Sequence, residues 1–325
     1  MARLPSLADV VAARARLAGI ALRTPLEPSA ELAAESGAAE VRLKLESLQP
    51  TGSFKIRGAE NKVALLAETV LGARLVTASS GNHGIAVAGA AARHNLPLTI
   101  LVGASTSPAK LARLRALESD RCTVDIVGRD TDDAEGEARR RDDGGLAVYV
   151  PPYDDADVIA GQATVGVELL EDWPQVEAIV APIGGGGLIA GIGLWAKAVK
   201  RSVRVIGVQP AASPPMFAYF ETGRSDPLPI APTLADGVAG NIERNSITWR
   251  LCRQHVDEVV VVDEDEIADA MRWALDVPHL LLEGSAVLPV AAMRTGKLPG
   301  LRDTRVAVVA TGRNVALDTL RPILG

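Results

Sequence analysis

The chain of 325 residues carries 40 Asp and Glu against 34 Lys and Arg, a formal charge of −6 at pH 7. That balance excludes a nucleic-acid surface, which needs a basic stripe, and 48% hydrophobic with 23% charged residues excludes a disordered chain. No stretch has membrane-spanning length, the opening MARLPSLADVV lacks the charged-then-apolar block of a signal peptide, and Cys122 and Cys252 lack metal or redox spacing. A cytoplasmic protein with no nucleic-acid or membrane partner is expected.

Aromatic residues are only 3%, so the core is built from Ala, Val, Leu and Ile, a mixture that suits parallel strands covered by helices. In chain order, a helix is predicted over Leu7–Leu17 behind Ser6 as N-cap, then strands over 41–47 and 74–78. A helix over 83–94 precedes strands over 98–102, 124–127 and 147–150. Next come a helix over 162–173, a strand over 178–183, a helix over 188–200 and strands over 204–208 and 258–262. A helix over 265–275 and a strand over 306–310 complete the pattern. Unalternated apolar runs separated by helices predict a doubly wound α/β protein of two lobes, with a break near residue 150. The Arg139, Arg140, Arg141 run lies among Asp132, Asp133, Asp142 and Asp143 and reads as a solvated mixed-charge helix.

Three turns follow strands, where open α/β sheets bind ligands. The strand over 178–183 runs into Gly184, Gly185, Gly186 and Gly187, which let backbone approach a ligand and open a helix, so an anion such as phosphate fits there. A dinucleotide fingerprint also fits the glycine spacing, but the next strand ends in Gln209 rather than the acid that holds a ribose. The turn Ser79-Ser80-Gly81-Asn82-His83-Gly84 holds more hydroxyl and amide groups than an N-cap needs and suits a carboxylate. The turn over 46–58 contains Phe54 and Lys55. This segment alone fits a surface lysine, the commoner case, or a desolvated amine nucleophile.

Together these segments resemble the threonine dehydratase and serine racemase family of pyridoxal-phosphate enzymes. Thr51-Gly52-Ser53-Phe54-Lys55-Ile56-Arg57-Gly58 is similar to its cofactor-lysine motif, 79–84 to its substrate-carboxylate loop and 184–187 to its phosphate cup. Asp157-Val158-Ile159-Ala160-Gly161-Gln162 and Leu282-Glu283-Gly284-Ser285 also match, in the expected order. The resemblance implies the tryptophan-synthase-β-like fold (fold type II), with the site between two open twisted α/β domains. A discontinuous cofactor-binding domain of 1–66 plus 150–325 and a small mobile domain of 67–149 are implied. It makes Lys55 the Schiff-base lysine that later takes the Cα proton, and places Ser80 on the opposite ring face as a second acid/base. Phe54 would pack beside the cofactor, Asn82 would bond its 3-hydroxyl, and Thr311 would face its pyridine nitrogen. Gly184, Gly185, Gly186 and Gly187 would bind its phosphate, and Ser79, Ser80, Asn82 and His83 the substrate. The implied reaction is ammonia-lyase elimination on a β-hydroxy amino acid, with amino-acid racemisation through Lys55 and Ser80 as the alternative, in a homo-oligomer (dimer or tetramer).

Several segments depart from the family pattern. Thr311-Gly312-Arg313-Asn314 stands where Ser-Gly-Gly-Asn is common; Thr311 keeps the hydroxyl, and Arg313 reads as a surface arginine in preference to a charge reaching the site. Residues 207–215, beside which some members bind a divalent cation, hold no carboxylate, so no metal is expected. Pro151 and residues 235–241 alter the rim that sets side-chain specificity. Threonine, serine, 3-hydroxyaspartate, a phenylserine and a hydroxyectoine-pathway intermediate are the candidate substrates. With the chain ending at Gly325, no isoleucine-sensing regulatory domain is expected.

Overall fold

The computed structural model of the protein describes residues 3–324. Met1, Ala2 and Gly325, at the ends of the expected domain ranges, lie outside the described residues. The strands are β1 (Leu26–Pro28), β2 (Glu40–Lys44), β3 (Leu75–Ala78), β4 (Leu98–Val102), β5 (Cys122–Ile126), β6 (Val148–Tyr149), β7 (Ala178–Pro182), β8 (Arg204–Pro210), β9 (Glu258–Val262) and β10 (Arg305–Val309). They form a six-stranded sheet in the order β1-β2-β10-β7-β8-β9 and a four-stranded sheet in the order β5-β4-β3-β6. Every pairing is parallel except β1 with β2.

The topology follows from residue type. Strands β3 and β7 are buried along their whole lengths, as unalternated Val, Ile, Leu and Ala runs require when helices cover both faces. Strand β10 arrives last yet slots into the middle, where Val306 pairs with Val41 on one side and Ala178 on the other. The four-stranded sheet is drawn wholly from chain between the two visits to the six-stranded one. The predicted strands all form, within a few residues of their expected bounds. Strand β1, three residues at the antiparallel edge, was not anticipated.

Two helices carry the chain between the sheets. The helix Lys55–Thr69 was expected to start as a turn; instead it begins at Lys55 itself, with Phe54 as its N-cap residue. The helix Ala156–Asp172 starts six residues before the predicted bound, because the Asp155 carboxylate accepts from the N–H groups of Asp157 and Val158. These helices touch backbone to backbone: a Cβ on Gly161 would lie 2.4 Å from the carbonyl oxygen of Arg57. Beneath the contact, Arg57 is 1% exposed and donates to Glu46 at 2.8 Å and to Glu168 at 2.7 Å. Lys44, also buried, reaches Glu168 at 2.6 Å. Opposite charges with saturated hydrogen bonds make burial of these ions tolerable and fix the angle of the Lys55 helix.

Candidate active site

The three strand-to-helix turns and the end of β10 converge on one cleft of about 490 Å³. Phe54, Lys55, Ser79, Ser80, Asn82, His83, Gly184, Gly185, Gly186, Gly187 and Thr311, all singled out from sequence, line it.

Lys55 enters from the first turn of its helix. The Phe54 N–H donates to the Thr311 carbonyl at 3.0 Å, which ties the lysine to β10. The Lys55 ammonium donates to the Pro152 carbonyl at 2.8 Å and lies 5.3 Å from the Phe54 ring centroid. No carboxylate forms an ion pair with it among the described residues. Burial lowers its pKa to about 8, with Glu135 and Glu283 pulling the other way. A lysine so placed gives up its proton far more readily than an exposed one and is largely neutral just above pH 8.

The second wall is the turn before the helix Asn82–Arg93. The Ser79 hydroxyl accepts from the Gly81 N–H at 3.2 Å. The Asn82 amide donates to Glu283 at 2.8 Å, and its carbonyl accepts from the Asn314 amide at 2.5 Å. His83 is buried and its Nε2 meets the Val150 carbonyl at 2.9 Å. Burial and Lys55 push its pKa down to about 3, so the ring is neutral, donates from Nε2 and leaves Nδ1 without a proton. The ring therefore has no N–H for a carboxylate; the His83 main-chain N–H, in the first turn of its helix, has no such restriction.

The third wall is the glycine loop. Gly186 adopts φ +88°, and Gly187 opens the helix Gly187–Val199, so unpaired N–H groups face the cleft at the helix's positive end. A Cβ on Gly185 would lie 2.2 Å from the Tyr153 ring, a space closed to any side chain. Thr311 is 2% exposed at the end of β10. Arg313 is not among the residues lining the cleft, and its N–H donates to the Gly52 carbonyl at 2.9 Å.

Sequence reasoning missed four groups. Tyr153 covers the glycine loop, and Asn314 links Asn82 to the Thr51 carbonyl. Glu283 is buried with its carboxyl raised to about 7 by burial and by Asp236, while bonds from Asn82 and the Asn314 N–H oppose the rise. Glu135 stands on the cleft wall in the helix Thr131–Asp143. Glu283 lay within a quoted motif without a role; Glu135 sat in the segment read as solvated. The triple-arginine reading also changes there: Arg139 pairs with Glu243 and covers the Tyr149 ring at 5.1 Å, Arg141 pairs with Glu137 and Asp125, and of the three only Arg140 is exposed.

The donor set fits a phosphorylated aldehyde cofactor. The glycine loop offers an anion cup that a Cβ would fill, Lys55 offers a desolvated amine, and the buried Ser285 hydroxyl on the cleft wall has no protein partner. The chain belongs to the family of pyridoxal-phosphate dependent enzymes, which it matches over residues 18–312. Its architecture is fold type II of that class and its cofactor is pyridoxal 5′-phosphate. An L-threonine ammonia-lyase of Thermotoga maritima is 39% identical over 98% of this chain and 78% of its own length. The catabolic L-threonine dehydratase of Escherichia coli K12 is 34% identical over 98% of this chain and 95% of its own. A solved maize serine racemase shares 30% identity and superposes with a TM-score of 0.90 over 99% of this chain and 97% of its own.

Proposed function

We propose that the cleft is that of an ammonia-lyase, which converts a small β-hydroxy amino acid, such as L-threonine or L-serine, to a 2-oxo acid and ammonium. The observation that carries the proposal is the position of Lys55, a desolvated amine lining the same cleft as the glycine cup. The named activities of the Thermotoga and Escherichia relatives support it.

Bound pyridoxal phosphate supplies an electron sink for the charge left at Cα when its proton departs. Everything else falls to the chain. The N–H groups of Gly184, Gly185, Gly186 and Gly187 would hold the phosphate, Phe54 would pack against the cofactor, and the Thr311 hydroxyl would meet its pyridine nitrogen, offering that nitrogen no negative charge to keep a proton. Asn82, clamped between Glu283 and Asn314, presents a fixed amide to the 3-hydroxyl. Ser79, Ser80, the Asn82 side chain and the main-chain N–H of His83 grip the substrate carboxylate. Lys55 would hold the cofactor and, once substrate displaces it, its amine would take the Cα proton; loss of the β-hydroxyl as water and hydrolysis of the released product would give the 2-oxo acid and ammonium. Orientation of the reacting groups is the protein's main contribution.

Racemisation through Lys55 and Ser80 is the second reading, favoured by the resemblance to a solved serine racemase and by Ser80 on the cleft wall. The division into a cofactor-binding domain (1–66 plus 150–325) and a mobile small domain (67–149) is proposed with it, as are a cytoplasmic location, homo-oligomeric assembly and independence from metal. Two buried free cysteines and the lack, among the described residues, of a helix long and apolar enough to cross a membrane fit that location. The test is a screen of L- and D-β-hydroxy amino acids for 2-oxo acid release. Release from an L-hydroxy amino acid is expected; inversion of serine without release would replace elimination by racemisation.

A further inference from the structure

Among the carboxylates on the cleft wall, Glu135 stands apart. Asp130 caps its own helix by accepting from the Asp133 N–H at 3.0 Å, and Asp236 receives Lys110 at 2.6 Å. Glu283 receives Asn82 and the Asn314 N–H, and Asp132 is exposed to water. Glu135 is half-buried and makes no hydrogen bond or ion pair among the described residues.

The cations around it are already committed. Arg139, one turn further along the same helix, pairs with Glu243 and lies over the Tyr149 ring. Lys55, the other cation within electrostatic reach, donates to Pro152 and is the cofactor's residue. Glu135 also acts electrostatically on Tyr153, beside the 150–153 rim where the sequence departs from its family. A carboxylate taken from water without a partner is costly, and the cost is recovered when a bound ligand brings the opposite charge. Burial and then Glu243 hold the Glu135 carboxyl up at about 7, so a cation bound beside it would shift it toward its charged form near neutral pH. Threonine's methyl group would leave Glu135 unpaired, and a second carboxylate would be repelled.

We propose that Glu135 reads the substrate side chain and that the preferred β-hydroxy amino acid carries a cationic amine beyond its β-carbon. The inference rests on the elimination reading for its hydroxyl but not for its amine. Of the other cations lining the cleft, Lys110 pairs with Asp236, and Arg113 is exposed and bonds Asn314 at 2.5 Å.

The holoenzyme would be assayed with 2,4-diamino-3-hydroxybutyrate, L-threonine and 3-hydroxyaspartate. In parallel, L-2,4-diaminobutyrate and L-2-aminobutyrate, which lack the leaving hydroxyl, would be titrated against the bound cofactor's absorbance. The expected result is at least about tenfold higher kcat/KM for the amine-bearing hydroxy acid than for threonine, and tighter binding of diaminobutyrate than aminobutyrate by a similar factor. Glu135→Gln should abolish both preferences, lowering kcat/KM for the amine-bearing substrate at least about tenfold more than for threonine. Equal binding of the two analogues, preference for 3-hydroxyaspartate, or an equal loss on every substrate in Glu135→Gln would overturn the proposal. Should no hydroxy acid release a 2-oxo acid while the binding preference persists and needs Glu135, the elimination reading fails and the side-chain assignment stands.

Discussion

The Nζ of Lys55 donates to the carbonyl oxygen of Pro152 across 2.8 Å, joining the start of one helix that links the two sheets to the loop that leads into the other. That bond is the amine's one hydrogen bond among the described residues. It explains why the group is buried without a carboxylate partner and still satisfied.

The lowered Lys55 pKa has a direct kinetic consequence. Only the neutral amine attacks the cofactor aldehyde, so loading of the apoenzyme should accelerate as pH rises through about 8, not through the ordinary lysine value of 10.5. Linkage gives a second readout with a fixed sign. Between about 8 and 10.5 the unfolded chain holds the Lys55 proton while the folded chain has lost it, so this group's contribution to stability increases with pH across that window. Stopped-flow loading against pH checks the first, and a midpoint near 10 would contradict it.

The glycine cup should tolerate no side chain. In Gly185→Ala the new Cβ meets the Tyr153 ring at 2.2 Å, so ring and loop must part. Cofactor affinity should fall on the order of tenfold or more, at least ~1.4 kcal/mol. Fluorescence titration of apoprotein with pyridoxal phosphate measures it; unchanged affinity together with an unchanged unfolding curve would remove the loop from the site.

Much of this site was legible because its chemistry sits in short runs. Residues 79–84 and 184–187 each announce a strand-to-helix turn, and the β10 hydroxyl follows a clear apolar strand. The helix Lys55–Thr69 was hidden for a physical reason. Arg57, Glu60 and Asn61 look like solvent residues in sequence, yet all are buried. Their partners are distant: Glu46 and Glu168 for Arg57, Arg93 and His94 for Glu60, and the Asp157 carbonyl for Asn61. No local periodicity encodes such pairings. Glu135 was missed in the same way, since its isolation depends on Arg139 being taken by a glutamate over a hundred residues away.

The Arg57 network should be the fold's most sensitive polar site. Arg57→Met leaves Glu46, fully buried, with its charge uncompensated, and removing one member of such a pair typically costs about 3–5 kcal/mol. Urea unfolding of the apoprotein at neutral pH reads this loss. A change below about 1 kcal/mol would mean that the network does not hold the Lys55 helix in place.

Ser80 separates the two reactions that the cleft supports. If its hydroxyl serves only the carboxylate grip, Ser80→Ala should raise KM for the L-substrate and leave kcat within about tenfold. If it is a second acid/base, the variant should lose α-proton exchange on D-serine in deuterated water while the L-enantiomer still exchanges. Nuclear magnetic resonance of both enantiomers distinguishes the cases.

The most direct measurement of the central claim compares wild type with Lys55→Ala after incubation with pyridoxal phosphate. The wild type should show a visible absorbance band that resists gel filtration and that sodium borohydride fixes to the peptide containing Lys55, together with 2-oxo acid release from its substrate. Lys55→Ala should fold normally, keep no such band and release no 2-oxo acid. A reduced adduct on another lysine, or undiminished turnover in Lys55→Ala, would contradict the assignment of this residue.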